Sequence, residues 1–213
     1  MKTPGVYIVE KSAFPNSVVE APTAIPAFIG ITEKAVNGAD TLSGKPWKIT
    51  SMTEFQQYFG GAPAPEFRLS VVDYPEKDAS KTFYGIPSPD KSKLLRVEAP
   101  EVTFSLYYQM VMFFANGGGT CYIVSAGTYD QKSLIDKEKV VAALTALKKE
   151  QEITMVLVPE AVSVDECKDI QTQVLAHCGE MMNRFAILDV QPKAKENEVM
   201  SEQIEIFRTN VGL

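Results

Sequence analysis

Apolar positions in the C-terminal half of the chain recur in two alternating rhythms. Phe104, Tyr107, Tyr108, Val111, Met112 and Ala115 fall at i, i+3, i+4, i+7, i+8 and i+11, the spacing that lines one side of an α-helix. Met110, Phe113 and Phe114 widen that surface, so the pattern predicts a helix buried on most sides. Gly117-Gly118-Gly119 stops it, and the unbroken apolar run Cys121-Tyr122-Ile123-Val124 reads as a strand. A helix carrying Val140, Leu144 and Leu147 is expected over about 136–149, followed by a strand over 154–158. Ser163-Val164-Asp165-Glu166 has the form of a capping box. It opens a predicted helix that runs to about Met182 and leads into the strand Phe185-Ala186-Ile187-Leu188. Strand, helix, strand, helix, strand at this spacing implies right-handed βαβ crossovers and a largely parallel sheet. Strands that are apolar throughout, without alternation, fit a sheet covered on both faces.

The N-terminal half is less regular. Its first 22 residues read as an extended arm. Within it, Val6-Tyr7-Ile8-Val9 is a β-prone run, and Pro15 and Pro22 favour an extended path. A strand of four residues cannot satisfy its own backbone groups, so it has to pair with a sheet, in this chain or in a neighbour. Ala24-Ile25-Pro26-Ala27-Phe28-Ile29-Gly30 is expected as a buried strand, and Lys45-Pro46-Trp47-Lys48-Ile49 as another short one. Ser51 or Thr53 can cap a short helix through Phe55 and Tyr58 that Gly60-Gly61 ends. Residues 62–100 are punctuated by Pro63, Pro65, Pro75, Pro87, Pro89 and Pro100 in a polar, lysine-bearing stretch. This reads as a surface insertion, with 69–72 and 94–97 as the two strands of a hairpin.

The expected organisation is therefore an α/β fold with an extended arm over 1–22 and a body made of 23–61 and 101–200. A surface insertion subdomain spans 62–100. Residues 201–213, with a polar helix over 201–208, begin a connection to a further, C-terminal domain.

Composition adds exclusions. A net charge of −6 over 213 residues argues against a general nucleic-acid binder, which would carry a basic patch or stripe. No apolar run reaches the roughly 18 residues of a membrane span, and no signal-peptide stretch follows Met1-Lys2-Thr3-Pro4-Gly5. Synthesis in a cytoplasm is the expectation. Cys121, Cys167 and Cys178 are too few, and odd in number, for a disulfide framework.

Each candidate for chemistry has a structural reading beside it. Gly117-Gly118-Gly119 lies between a helix and a strand, whereas a phosphate loop needs glycines after a strand and before a helix. His177, the one histidine, neighbours Cys178 and lies three residues before Glu180. That set falls short of the four ligands of a structural zinc site. His177 also shares the apolar side of its helix with Cys167, Ile170, Val174, Cys178 and Met181, the pattern of a histidine at the edge of a core. Adjacent helical residues point about 100° apart, which disfavours His177 and Cys178 as a nucleophile pair. A pair of Cys121 with His177 has nothing to support it. Asp189 stands just past a strand end, where α/β enzymes often place a catalytic group, but with no second carboxylate or base marked nearby it reads as a turn-former. No catalytic, cofactor or metal site is expected.

Several segments resemble a known family in its own order. Thr3-Pro4-Gly5-Val6-Tyr7-Ile8-Val9-Glu10 with Ala24-Ile25-Pro26-Ala27-Phe28-Ile29-Gly30 is similar to the start of phage-type contractile tail-sheath proteins. So is the stretch from Ile49-Thr50-Ser51 through Phe55 to Phe59-Gly60-Gly61. Phe113-Phe114-Ala115-Asn116-Gly117-Gly118-Gly119 before Cys121-Tyr122-Ile123-Val124 looks like the family's helix–glycine–strand signature. His177-Cys178 leading to Arg184-Phe185-Ala186-Ile187-Leu188-Asp189 resembles a further segment. Residues 62–100 are an unmatched insertion. The resemblance implies a structural, non-enzymatic subunit that needs no cofactor. Its copies would stack into a helical tube around an inner tube, laced by arms such as Val6, Tyr7, Ile8 and Val9. The same likeness implies contraction driven by energy stored in the lattice, other sheath subunits and a baseplate as partners, and no contact with nucleic acid or membrane. The place of work would be a virion tail or contractile injection particle assembled in a bacterial cytoplasm. Family members continue into a C-terminal domain that contacts the inner tube, and this sequence stops at Leu213, so tube binding would belong to residues beyond it. A Rossmann-like nucleotide-binding protein or small enzyme on the same βαβ pattern is the other reading.

Overall fold

A computed structural model describes residues 23–64, 67–75, 82–98, 104–129, 134–191 and 200–212. The strand expected at Val6, Tyr7, Ile8 and Val9 lies outside the described residues. The first half contains β1 (Pro26–Thr32), β2 (Val36–Asn37), β3 (Asp40–Thr41), β4 (Trp47–Ile49) and helix α1 (Met52–Phe59). Strands β5 (Arg68–Asp73), β6 (Thr82–Pro87) and β7 (Lys93–Glu98) come next. Then follow α2 (Leu106–Ala115), β8 (Cys121–Thr128), α3 (Lys137–Leu147), β9 (Met155–Leu157), α4 (Cys167–Met181), β10 (Phe185–Ile187) and α5 (Met200–Val211).

The central sheet runs β10-β9-β1-β8-β4. Strand β1 is parallel to β8 and β9, β9 is parallel to β10, and β4 closes the far edge antiparallel to β8. The chain is therefore an α/β protein with a mostly parallel sheet, as the alternating periodicities predict. Every residue of the middle strand β1 is buried, because a helical layer covers each face. Ala27, Ile29 and Ile31 join Tyr122 and Val124 beneath α3 and α4, in a core with Val140, Leu144, Ile170 and Val174. Phe28, Cys121 and Ile123 point the other way, into a core with Phe55 and Phe59 of α1 and Leu106 and Met110 of α2. At about 25 cal/mol per Å² of apolar surface, these two layers are the main source of stability.

Local chemistry explains the element ends. Ser51 caps α1 by accepting from Glu54 N at 3.2 Å, while the Glu54 carboxylate accepts from Thr50 N at 2.6 Å. Gly60 ends the helix at φ 91°, a conformation costly for any residue with a Cβ, and a Cβ there would strike Glu33. Asp136 caps α3 through Lys139 N at 2.8 Å. The helix–glycine–strand order also stands: α2 passes through Gly117 at φ 84° into β8.

Three expectations need correction. The predicted capping box does not cap, because 159–163 form a separate 3-10 turn and α4 starts only at Cys167. Glu166, at the N-cap, makes no side-chain cap bond and accepts instead from Lys137 N of α3 at 2.9 Å. Helix α2 is not buried on most sides: Leu106 and Met110 are buried, while Tyr108, Val111 and Met112 of the predicted stripe are exposed. Finally, 69–72 and 94–97 do pair, but as β5 and β7 of a three-stranded sheet ordered β5-β7-β6. The hairpin is β6–β7, turned by Asp90, whose carboxylate accepts from Ser92 N at 3.1 Å and from the Ser88 and Ser92 hydroxyls. Those bonds hold its pKa down to about 2.

Candidate functional site

The carboxyl ends of parallel strands are where α/β proteins place ligands, and here that place is taken by the chain itself. Glu160, in the turn after β9, is buried and reaches across to β1 and α2. Its Oε2 accepts from Ile31 N at 2.8 Å, and its Oε1 accepts from Ser105 N at 3.0 Å and Leu106 N at 3.2 Å. Burial raises its pKa, and the three backbone bonds oppose that rise. The seat an anion would take at the N-terminus of α2 thus holds an internal carboxylate. Gly30 makes the approach feasible, since a Cβ there would lie 2.9 Å from Leu106 and 3.1 Å from Glu160. Beside it, a cavity of about 60 Å³ is lined by Phe28, Gln109, Leu157, Gln171 and Asp189 among others, far below the roughly 300 Å³ at which small-molecule pockets begin.

The other sequence candidates fall into structural settings. His177 is 4% exposed. Its Nε2 lies 3.4 Å from Arg184 Nη1, and its Nδ1 has no protein partner among the described residues. Burial, then Arg184 and Lys148, lower its pKa, against a smaller opposing effect of Glu180. Arg184 is committed elsewhere: Nη1 donates to Leu147 O at 3.1 Å and Nη2 to Glu150 O at 2.8 Å, covering the carbonyl end of α3 with positive charge. Cys121, Cys167 and Cys178 are free and buried. Burial pushes the Cys121 thiol up to about 12, the reverse of what a nucleophile needs. Cys121 belongs to the α1–α2 core and Cys178 to the core beneath α3 and α4, the side on which His177 is buried. The fold therefore does not bring Cys121 and His177 together. Asp189 follows β10, and its backbone carbonyl accepts from Gln171 Nε2 at 2.7 Å. Among the described residues no cluster of His, Cys, Asp and Glu could hold a metal ion.

What the molecule offers outward is apolar surface. Among the described residues no strand pairs with the outer edge of β10, and its Phe185 and Ile187 are 59% and 44% exposed. They lie in register with Met155 and Leu157 of β9, which in turn pair with Pro26 and Phe28 of β1. Helix α2 covers Phe28 through Phe113, ring centroids 5.4 Å apart, yet leaves Phe185 and Ile187 on the same side uncovered. Met112, 62% exposed, adds to the outer side of α2 with Tyr108 and Val111. The insertion sheet presents a further apolar face through Leu69, Val71, Tyr84 and Ile86.

Of the residues named for function from the sequence, the arm positions Val6, Tyr7, Ile8 and Val9 lie outside the described residues. Sequence reasoning missed Glu160, whose one signal is an acidic residue directly after a strand of a parallel sheet. It also missed the role of Arg184. No family model matches the chain, and no curated protein does.

Proposed function

We propose that the chain is a structural subunit of a contractile tail sheath, assembling with copies of itself into a helical tube around an inner tube. Contraction of that tube drives the inner one through a target envelope. The family-like segments, in family order, suggest the class. The observation that carries the reading here is the uncovered apolar edge at β10. Parallel strands are normally sheathed on both faces, so Phe185 and Ile187, on a strand with no outer neighbour among the described residues, suit a strand or helix supplied by another subunit. Glu160 in the anion seat, and the small volume beside it, favour this reading over a nucleotide-binding one.

In this reading the subunit performs no catalysis and needs no cofactor. Its partners are neighbouring sheath subunits, a baseplate and, through a C-terminal domain, the inner tube. It works in a virion tail or injection particle after assembly in the bacterial cytoplasm. Val6, Tyr7, Ile8 and Val9 act as a lacing strand whose main-chain hydrogen bonds, each about 1 kcal/mol net, repeat along the tube. Deleting residues 1–20 from the protein should leave its melting temperature nearly unchanged and abolish long tubes in electron micrographs. Normal tubes from the deleted protein would remove the lacing role. Failure of the intact protein to form tubes under any assembly condition would remove the sheath reading itself.

A further inference from the structure

Strands β5, β6 and β7 form a sheet of their own, one face of which is apolar and open to solvent. The registers Leu69↔Val97, Val71↔Leu95, Tyr84↔Val97 and Ile86↔Leu95 gather six apolar side chains on one face. Leu69 and Val71 are each 67% exposed, and Tyr84, Ile86 and Leu95 are exposed with them. The opposite face carries Val72 and Leu94, of which Leu94 is buried, together with Ser70, Arg96 and Glu98, all half-buried. There Arg96 Nε donates to Ser70 Oγ at 3.1 Å, and Arg96 Nη2 lies 2.5 Å from the Glu98 carboxylate. A sheet face left to water would carry polar residues in these positions.

We propose that this apolar face packs against the same face of a second copy, two three-stranded sheets stacking about 10 Å apart. Pairing of this kind requires a patch that complements itself under a two-fold rotation, and the charges meet that condition. The chain carries −6 overall, yet the centre of this face is uncharged. At its end stand one acid and one base, Asp73 and Lys93, opposed across β5 and β7 with Nζ and Oδ1 2.5 Å apart. Among the described strand residues of this face the sum is zero, so a rotated copy meets no excess of like charge there, and a strongly charged partner finds nothing to pair with. Six such side chains expose on the order of 500 Å², near the top of what a monomer leaves in one patch. Two faces together remove about 1,000 Å², at the small end of specific interfaces, where transient pairs lie. The contact is therefore a weak, reversible dimer when free and is strengthened wherever an assembly holds many copies close. It does not depend on the sheath reading.

Sedimentation of the intact chain over a range of concentrations should show a reversible monomer–dimer equilibrium. Val71→Lys should weaken it at least about tenfold, because the interface then buries an unpaired ammonium group, without changing the melt. Leu95 lies on the central strand, close to where a two-fold axis would pass, and the three native thiols are buried. Leu95→Cys, oxidised with oxygen and a copper catalyst, should give a disulfide-linked dimer. Glu138→Cys, exposed on α3, should give only background. A chain that stays monomeric throughout, or a dimer indifferent to Val71→Lys, or equal cross-linking at Leu95→Cys and Glu138→Cys, would each overturn the proposal. Any of these could occur with normal tubes, so the proposal and the sheath reading fail separately.

Discussion

Burying the carboxylate of Glu160 is tolerable only because three backbone N–H groups converge on it, from Ile31, Ser105 and Leu106. Replacing it with alanine would orphan all three donors in a dry site. Glu160→Ala should therefore lower the unfolding free energy by about 3 kcal/mol or more, read from urea denaturation. Glu160→Gln should cost less, since its amide keeps one acceptor oxygen. His177 raises a different question, that of pH. Its folded-state pKa lies below the ordinary 6.5, so between those two values the unfolded chain binds more protons than the native one. Stability then rises with pH through that window and is lost as pH falls below about 6.5. The groups around the imidazole are Arg184, Lys148 and Glu180, and a second positive charge beside the Arg184 guanidinium is what acid would create. The melting temperature should fall between pH 7 and pH 5, and His177→Gln should flatten that slope. An unchanged slope in the variant would assign the acid sensitivity elsewhere.

Among the elements, α2 shows where pattern reading goes astray. Its sequence is apolar nearly all round, so periodicity alone could not choose which side faces the sheet. The choice was made by Glu160, which fixes the first turn at Leu106 and so turns Leu106 and Met110 inward. Met110→Ala should accordingly cost about 2–4 kcal/mol, whereas Met112→Ala should stay within about 0.5 kcal/mol. The reverse order in thermal or urea melts would restore the stripe read from the sequence. Helices α1 and α3 were legible because their caps, Ser51 and Asp136, and their apolar spacing agree. The false capping box at Ser163 failed because Pro159 starts a 3-10 turn that consumes the stretch. Strand β6 was overlooked because Gly85 and Pro87 weaken its β pattern. The turn residues Ser88, Asp90 and Ser92 held the better clue.

At the scale of the whole molecule, the order of helices and strands was enough to give a mostly parallel α/β sheet. It did not give the strand order, with β9 inserted beside β1 on the side away from β8. That depends on contacts between residues more than a hundred positions apart, such as Ile25 N to Thr154 Oγ1 at 2.9 Å, which no local pattern encodes. Nor were the outward apolar faces legible, since an exposed Phe185 or Leu69 has the same identity as a buried one. The Glu160 tie has a mechanical consequence. Where the long excursion between α1 and α2 returns to the body, the chain is pinned at Ser105 and Leu106 to a carboxylate that also holds Ile31 of the middle strand. A pull applied to the excursion from outside is thus delivered to the middle strand of the sheet as well as to the first turn of α2. The carboxylate is the rivet through which such a pull enters the body.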